Sequence, residues 1–198
     1  GVHRYSLADS ASTEHVCSRN IGVARVVLHP SFNEQTYQND VAVLTLEDDA
    51  PCAPTDTQLI NLDQSNERWI SRTATVIGWG TTSAERLSYP NELHEVDVTV
   101  RSPAYCANKF DRCSGCTYDN SMLCALDSGK DACTRDSGGP LFLYPFGGGA
   151  AFQIGIVSWG VQCASEDWPG VYTRVAVFAS WIQQQAGLFP PPPPPPPP

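Results

Sequence analysis

Apolar and polar positions along this chain fall into short β-type runs separated by turn residues. Val23-Ala24-Arg25-Val26-Val27-Leu28 and Val41-Ala42-Val43-Leu44-Thr45-Leu46 are rich in β-branched residues, the composition that suits a pleated surface. Between them, His29 to Asp40 is rich in Pro, Ser and Asn and reads as a loop. Pairing the two runs as a hairpin puts Leu28 opposite Val41. Carried outward without a bulge, that register puts Cys17 opposite Cys52 and predicts a disulfide between them. Thr73 to Trp79, Leu93 to Val100, Leu141 to Leu143, Gln153 to Val157 and Gly170 to Val175 continue the strand pattern. Near the end the period lengthens. Val175, Phe178, Trp181 and Ile182 fall on one helical face, with Gly187 as the stop. The pattern predicts an all-β chain closed by a C-terminal helix.

Residues 190–198 are nine consecutive prolines. Without amide hydrogens and with φ locked, they form a polyproline II rod of roughly 28 Å at ~3.1 Å per residue. Such a rod serves first as a stiff spacer; it also suits aromatic grooves, or hydroxylation and sugar attachment.

At 198 residues the chain holds one large domain or two small ones. A net charge of −9 argues against nucleic acid and anionic membranes as partners. No apolar run approaches the ~18 residues of a membrane span. Eight cysteines in a Trp- and Gly-rich β-type sequence point to disulfides and an oxidising, extracellular compartment. Zinc is the rival reading, but only Cys113-Ser114-Gly115-Cys116 has metal-like spacing, and no second pair completes a tetrahedral site.

The most informative stretch is Arg135-Asp136-Ser137-Gly138-Gly139-Pro140, with Cys133 and Asp131 just upstream. The glycines let a substrate backbone approach the serine, whose hydroxyl needs an adjacent base to react. Asn39-Asp40-Val41-Ala42-Val43-Leu44 precedes it and Ser158-Trp159-Gly160 follows it. Gly78-Trp79-Gly80-Thr81-Thr82, Leu93-His94-Glu95-Val96 and Ser102-Pro103-Ala104-Tyr105-Cys106 lie between them. In this order and at these spacings, residues 1–187 resemble the trypsin/chymotrypsin family of serine proteases.

The resemblance implies an all-β double barrel of two six-stranded antiparallel barrels, the first incomplete here. Residues 1–65 would be the remainder of the first barrel, 66–175 the second, 176–187 the helix and 188–198 the proline tail. It implies Ser137 as nucleophile, Asp40 as the carboxylate orienting a histidine, and the N–H groups of Arg135 and Ser137 as the oxyanion hole. Asp131 would form the base of the specificity pocket, where a buried carboxylate selects the long cation of Lys or Arg. Gly160 and Gly170 would be its walls, Ser158 and Trp159 its rim along the substrate backbone, and Asp136 the partner of a new N-terminal ammonium. Disulfides Cys106–Cys124 and Cys133–Cys163 are implied in the same way. Cys113 and Cys116 are left over, and are expected to form a local disulfide in an inserted loop. Some family members bind calcium near Ala8 to Glu14. Asp9 and Glu14 fall short of the six to eight oxygens calcium takes, so no metal or other cofactor is expected.

Two departures stand out. Arg135 occupies a position where the family nearly always has glycine. The catalytic histidine is missing: none of His3, His15, His29 and His94 has its sequence context. The first barrel would also lack about half its strands, leaving open edges around Val23–Leu46. The base and those strands are therefore expected from another polypeptide or from protein outside this chain. The expected function is cleavage of protein or peptide substrates after Arg or Lys. The alternative is an inactive protease-like domain that binds or scaffolds in an extracellular assembly, with the proline run as its stalk.

Overall fold

The computed structural model describes residues 20–50, 59–65, 69–82 and 88–188. The expected Cys17–Cys52 disulfide, His3, His15, the Asp9/Glu14 loop and the proline run lie outside them. Nine strands and two helices are formed in the described residues: β1 (Val23–Leu28), β2 (Ala42–Leu46), β3 (Asn61–Leu62), β4 (Thr73–Gly78), β5 (His94–Thr99), α1 (Pro103–Phe110), β6 (Met122–Ala125), β7 (Pro140–Leu143), β8 (Phe152–Trp159), β9 (Gly170–Arg174) and α2 (Val175–Gln185).

Six strands run in the order β5-β4-β7-β8-β9-β6, each antiparallel to its neighbour. The ring closes where Arg101 N–H donates to Cys124 O at 2.9 Å and Leu126 N–H to Thr99 O at 3.0 Å, on either side of a Val100–Ala125 bridge. Closure leaves no free edge among these strands. Alternate residues point inward, so Ala74, Val76, Val98, Leu141, Leu143, Ile154 and Tyr172 pack one buried core. Short β3 adds in parallel to the outside of β8, Asn61 opposite Phe152.

α1 was not part of the sequence expectation, although its signal is present. Ser102 Oγ accepts the N–H of Tyr105 at 3.2 Å, and Pro103 occupies the first turn, the usual cap and opening of a helix. Cys106 on α1 is bonded to Cys124 on β6, and Cys113 to Cys116 in the loop between them. The predicted C-terminal helix is α2, which buries Val175, Phe178 and Ala179.

The hairpin β1–β2 forms a separate two-stranded sheet, and its register corrects the expectation. Leu28 faces Ala42, not Val41, and Val26 faces Leu44. The reason is local: His29 N–H already donates to Val41 O at 3.0 Å, and Tyr37 and Asn39 both have positive φ, 56° each. The loop therefore closes one residue further out on one side. A bulge between Val23 and Arg25 then shifts the pairing back, so that Val23 faces Leu46.

Candidate active site

Asp40 follows Asn39, whose φ is positive, and is held from the barrel side by two hydroxyls. Ser158 Oγ donates to Asp40 Oδ2, and Thr173 Oγ1 donates to Asp40 O, both at 2.6 Å. Ser158 can do this because β8 is irregular there. Val157 faces Tyr172 and Trp159 faces Val171, leaving Ser158 as the extra residue; a bulge of this kind re-aims a side chain. A second clasp lies beside it. Asn39 N–H donates to Ser121 Oγ at 3.3 Å, Ser121 Oγ donates to Asp119 at 2.6 Å, and Gln38 Nε2 donates to the other oxygen of Asp119 at 2.6 Å. Those hydrogen bonds lower the Asp119 pKa against the opposing effect of burial. Sequence reasoning missed Thr173, Asp119 and Ser121, because nothing in their local context marks contacts to residues 80 or more positions away.

Ser137 stands on two successive turns. Asp136 N–H donates to Cys133 O at 2.9 Å, and Gly139 N–H to Asp136 O at 2.8 Å. The third residue of each turn has positive φ, 77° at Arg135 and 84° at Gly138. That is the position where a type II turn calls for glycine, so Arg135 is held in a conformation costing an L-residue roughly 1–2 kcal/mol. Among the described residues, nothing accepts the N–H of Arg135 or of Ser137, and Ser137 Oγ is exposed with no hydrogen-bond partner.

A cavity of about 170 Å³ opens beside Ser137, lined by Asp131, Ser158, Trp159, Gly160 and Gly170. The Cys133–Cys163 disulfide joins two of its walls. Asp131 lies at its inner end, against Gly170; a side chain at Gly170 would run into the Asp131 carboxylate. Burial pushes the Asp131 pKa up to about 7, with the Asp136 charge adding to it and the N–H groups of Ala164 and Ala132 opposing it. Tyr172 is buried next to it, with its hydroxyl near the backbone of Ala132. An ionised carboxylate at the end of a slot favours a cationic hydrogen-bond donor.

On the other side of the turn, Asp136 accepts from Gly80 N–H at 2.8 Å and Cys133 N–H at 2.9 Å. It borders a second cavity of about 150 Å³, lined by Gly78, Thr81, His94 and Glu95 and also touched by Asp131. His94 therefore belongs to that second cavity. His29 packs edge-on against Phe178 and Trp181 of α2, with centroids 5.1 and 4.9 Å away. Among the described residues, no histidine hydrogen-bonds Asp40 or Ser137, no cluster of side chains could hold a metal ion, and no helix is long and apolar enough to cross a membrane.

The family model for trypsin matches residues 3–182. Trypsin beta of Drosophila erecta is 40% identical over 158 residues, 80% of this chain and 59% of that protein. Trypsin alpha of Drosophila melanogaster is 39% identical over 158 residues, 80% of this chain and 58% of that protein. The inactive CLIP domain-containing serine protease A3 of Aedes aegypti is 35% identical over 184 residues, 90% of this chain but 38% of that protein. The chain thus spans less than two thirds of the length of these relatives. In fold it is similar to neuropsin, a serine protease expressed in the limbic system of mouse brain. The TM-score is 0.76 at 24% identity, covering 92% of this chain and 78% of that one. A closed barrel that presents a serine turn at the mouth of a carboxylate-ended slot, and a family match over nearly the whole chain, agree: this chain belongs to the trypsin family of serine proteases.

Proposed function

We propose that the chain is part of a secreted, trypsin-like serine endopeptidase that cleaves after Arg or Lys. The observation that carries this reading is the hydrogen bond from Ser158 to Asp40, joining residues 118 positions apart at the rim of the slot that runs from Ser137 to Asp131. In this reading a histidine from outside the chain sits between Asp40 and Ser137. It takes the Ser137 proton as Oγ attacks the scissile carbonyl, while the free N–H groups of Arg135 and Ser137 receive the oxyanion. Collapse breaks the peptide bond, and the leaving amine takes the proton from the imidazolium. Water then repeats the sequence on the acyl-serine. Asp131 holds the substrate cation, and Asp136 receives the ammonium of a new N-terminus in the neighbouring cavity. Secretion is supported by the cysteine content and the disulfides. The proline run is assigned a spacer role toward an extracellular assembly.

The test is digestion of a peptide library by the full-length protein, with intact-mass analysis under reducing and non-reducing conditions. Cleavage confined to Arg and Lys, with a histidine-bearing segment in the mass, is expected. Cleavage after other residues would sink the specificity.

A second reading is an inactive protease-like domain that binds or scaffolds. It is favoured by Arg135 in the glycine position of the turn and by the similarity to the inactive mosquito protein. A serine-directed fluorophosphonate separates the two: labelling of Ser137 supports the protease, and an unlabelled, folded protein supports the scaffold.

A further inference from the structure

Arg135 is absent from the lining of the specificity cavity, although Thr134 and Ser137 on either side both line it. Its side chain leaves the opposite way, and its guanidinium carbon lies 4.0 Å above the ring centroid of Tyr89. A ladder of hydrogen bonds joins the chain before Tyr89 to the chain before Arg135. Thr81 N–H donates to Thr134 O at 3.0 Å, Ser88 N–H to Thr81 Oγ1 at 3.2 Å, and Thr82 N–H to Ser88 O at 3.1 Å. Among the described residues, no carboxylate pairs with Arg135. The strained backbone thus presents a cation that is stacked on a ring and, among the described residues, pairs with no carboxylate.

A substrate with its basic side chain on Asp131 and its carbonyl at Ser137 lays its acyl half along Ser158–Gly160. In the protease reading the leaving half passes the other side of the Ser137 turn, where the Arg135 side chain lies against Tyr89. We propose that Arg135 and Tyr89 form an anion subsite for the leaving half. The preferred substrate class is then a peptide with Arg or Lys before the scissile bond and Asp or Glu in the first two residues after it. This deepens, and rests on, the reading of the chain as a protease for basic sites. Arg suits the task, since its planar guanidinium can stack on the ring and still present N–H groups edge-on to a carboxylate. The protein as a whole is acidic, with a net charge of −9, so any such preference is local to this residue.

The test uses the full-length protein and peptides with Gly-Gly-Arg before the bond and Glu-Glu, Gln-Gln or Lys-Lys after it. Fluorescence anisotropy on the S137A variant reads binding without cleavage. Attraction of Glu-Glu and repulsion of Lys-Lys together should separate their affinities by about tenfold at low salt, each being an exposed charge contact. The separation should fall to within about twofold in S137A/R135Q and in 0.5 M salt, as expected for a screened contact, and largely survive in S137A/R135K. Equal affinities on S137A, or a preference that survives R135Q, would overturn the subsite. The same peptides with the Ser137 protein should be cleaved in the same rank order. Discriminating binding without any cleavage would overturn the protease reading and leave the subsite standing.

Discussion

The two halves that meet at the candidate site share strand chemistry but are held in opposite ways. In the barrel, alternation places Leu141 at 0% exposure and Ile154 at 1%, inside a closed ring. In the β1–β2 hairpin, similar residues stand in the open, with Leu28 at 62% and Leu44 at 56%. The hairpin is tied to the rest by polar contacts and ring edges: Arg25 Nη2 to Gln185 O at 2.9 Å, His29 on α2, Gln38 to Asp119, Asn39 to Ser121, and Asp40 to Ser158 and Thr173. The barrel is therefore a self-sufficient frame for Ser137 and Asp131, whereas Asp40 is delivered by a segment whose own apolar surface is unspent. Burial stabilises only when a second surface closes over the first.

The strongest way to break this comparison is at the chemistry itself. In the full-length protein, Asp40→Asn should lower turnover by about 10⁴-fold while leaving the barrel folded. Rates on a basic peptide, with near-ultraviolet circular dichroism as the folding check, decide it. A loss below tenfold would detach Asp40 from the reaction.

Next comes stability. Leu141→Ala should cost about 2–5 kcal/mol in urea unfolding, through lost burial and a cavity. Leu44→Ala in this chain should stay within about 0.5 kcal/mol, as an exposed site does. Equal costs would mean that the hairpin is covered after all.

Asp131 gives a pH test. Its pKa is raised to about 7 from the ordinary 3.8. Folding therefore favours the protonated form: that contribution is complete below about pH 4 and is lost as pH rises through 7. Above 7 the carboxylate is ionised, and a bound cation offsets its desolvation. Affinity of the S137A variant for an Arg peptide should thus weaken as pH falls, by roughly tenfold per unit below 7. Asp131→Asn should bind weakly and without that slope. A flat profile in the parent would exclude Asp131 as the cation's partner.

The smallest effect is expected at the clasp. Thr173→Val removes one hydrogen bond to the Asp40 carbonyl and should cost about 1 kcal/mol. A fall in kcat at unchanged KM would show that it positions Asp40 for the chemistry and not for binding.

Much of this was legible along the chain. The β-branched runs foretold β1, β2 and most barrel strands, and the 3.6-residue spacing from Val175 foretold α2, because those signals are local. The Asp131–Ser137 stretch and its flanking motifs announced the family and the slot chemistry, since they lie within one short segment. α1 was readable in Ser102-Pro103, but its eight residues carry little periodicity to set against the β pattern around them.

What only the three-dimensional structure decided is how one loop closes and everything that depends on distant partners. It set the hairpin one residue away from the register its strands suggested, because the His29–Asp40 loop has its own hydrogen bonds and positive-φ residues. A bulge was needed to turn Ser158 toward Asp40, and Thr173, Asp119 and Ser121 became partners of residues 38–40 through ring closure. Arg135 meets Tyr89 where a ladder through Thr81 and Ser88 joins the chain before each. Sequence determines which residue types can do chemistry; pairing across 81 to 133 positions determines which of them meet, because those contacts exist only once the barrel has closed.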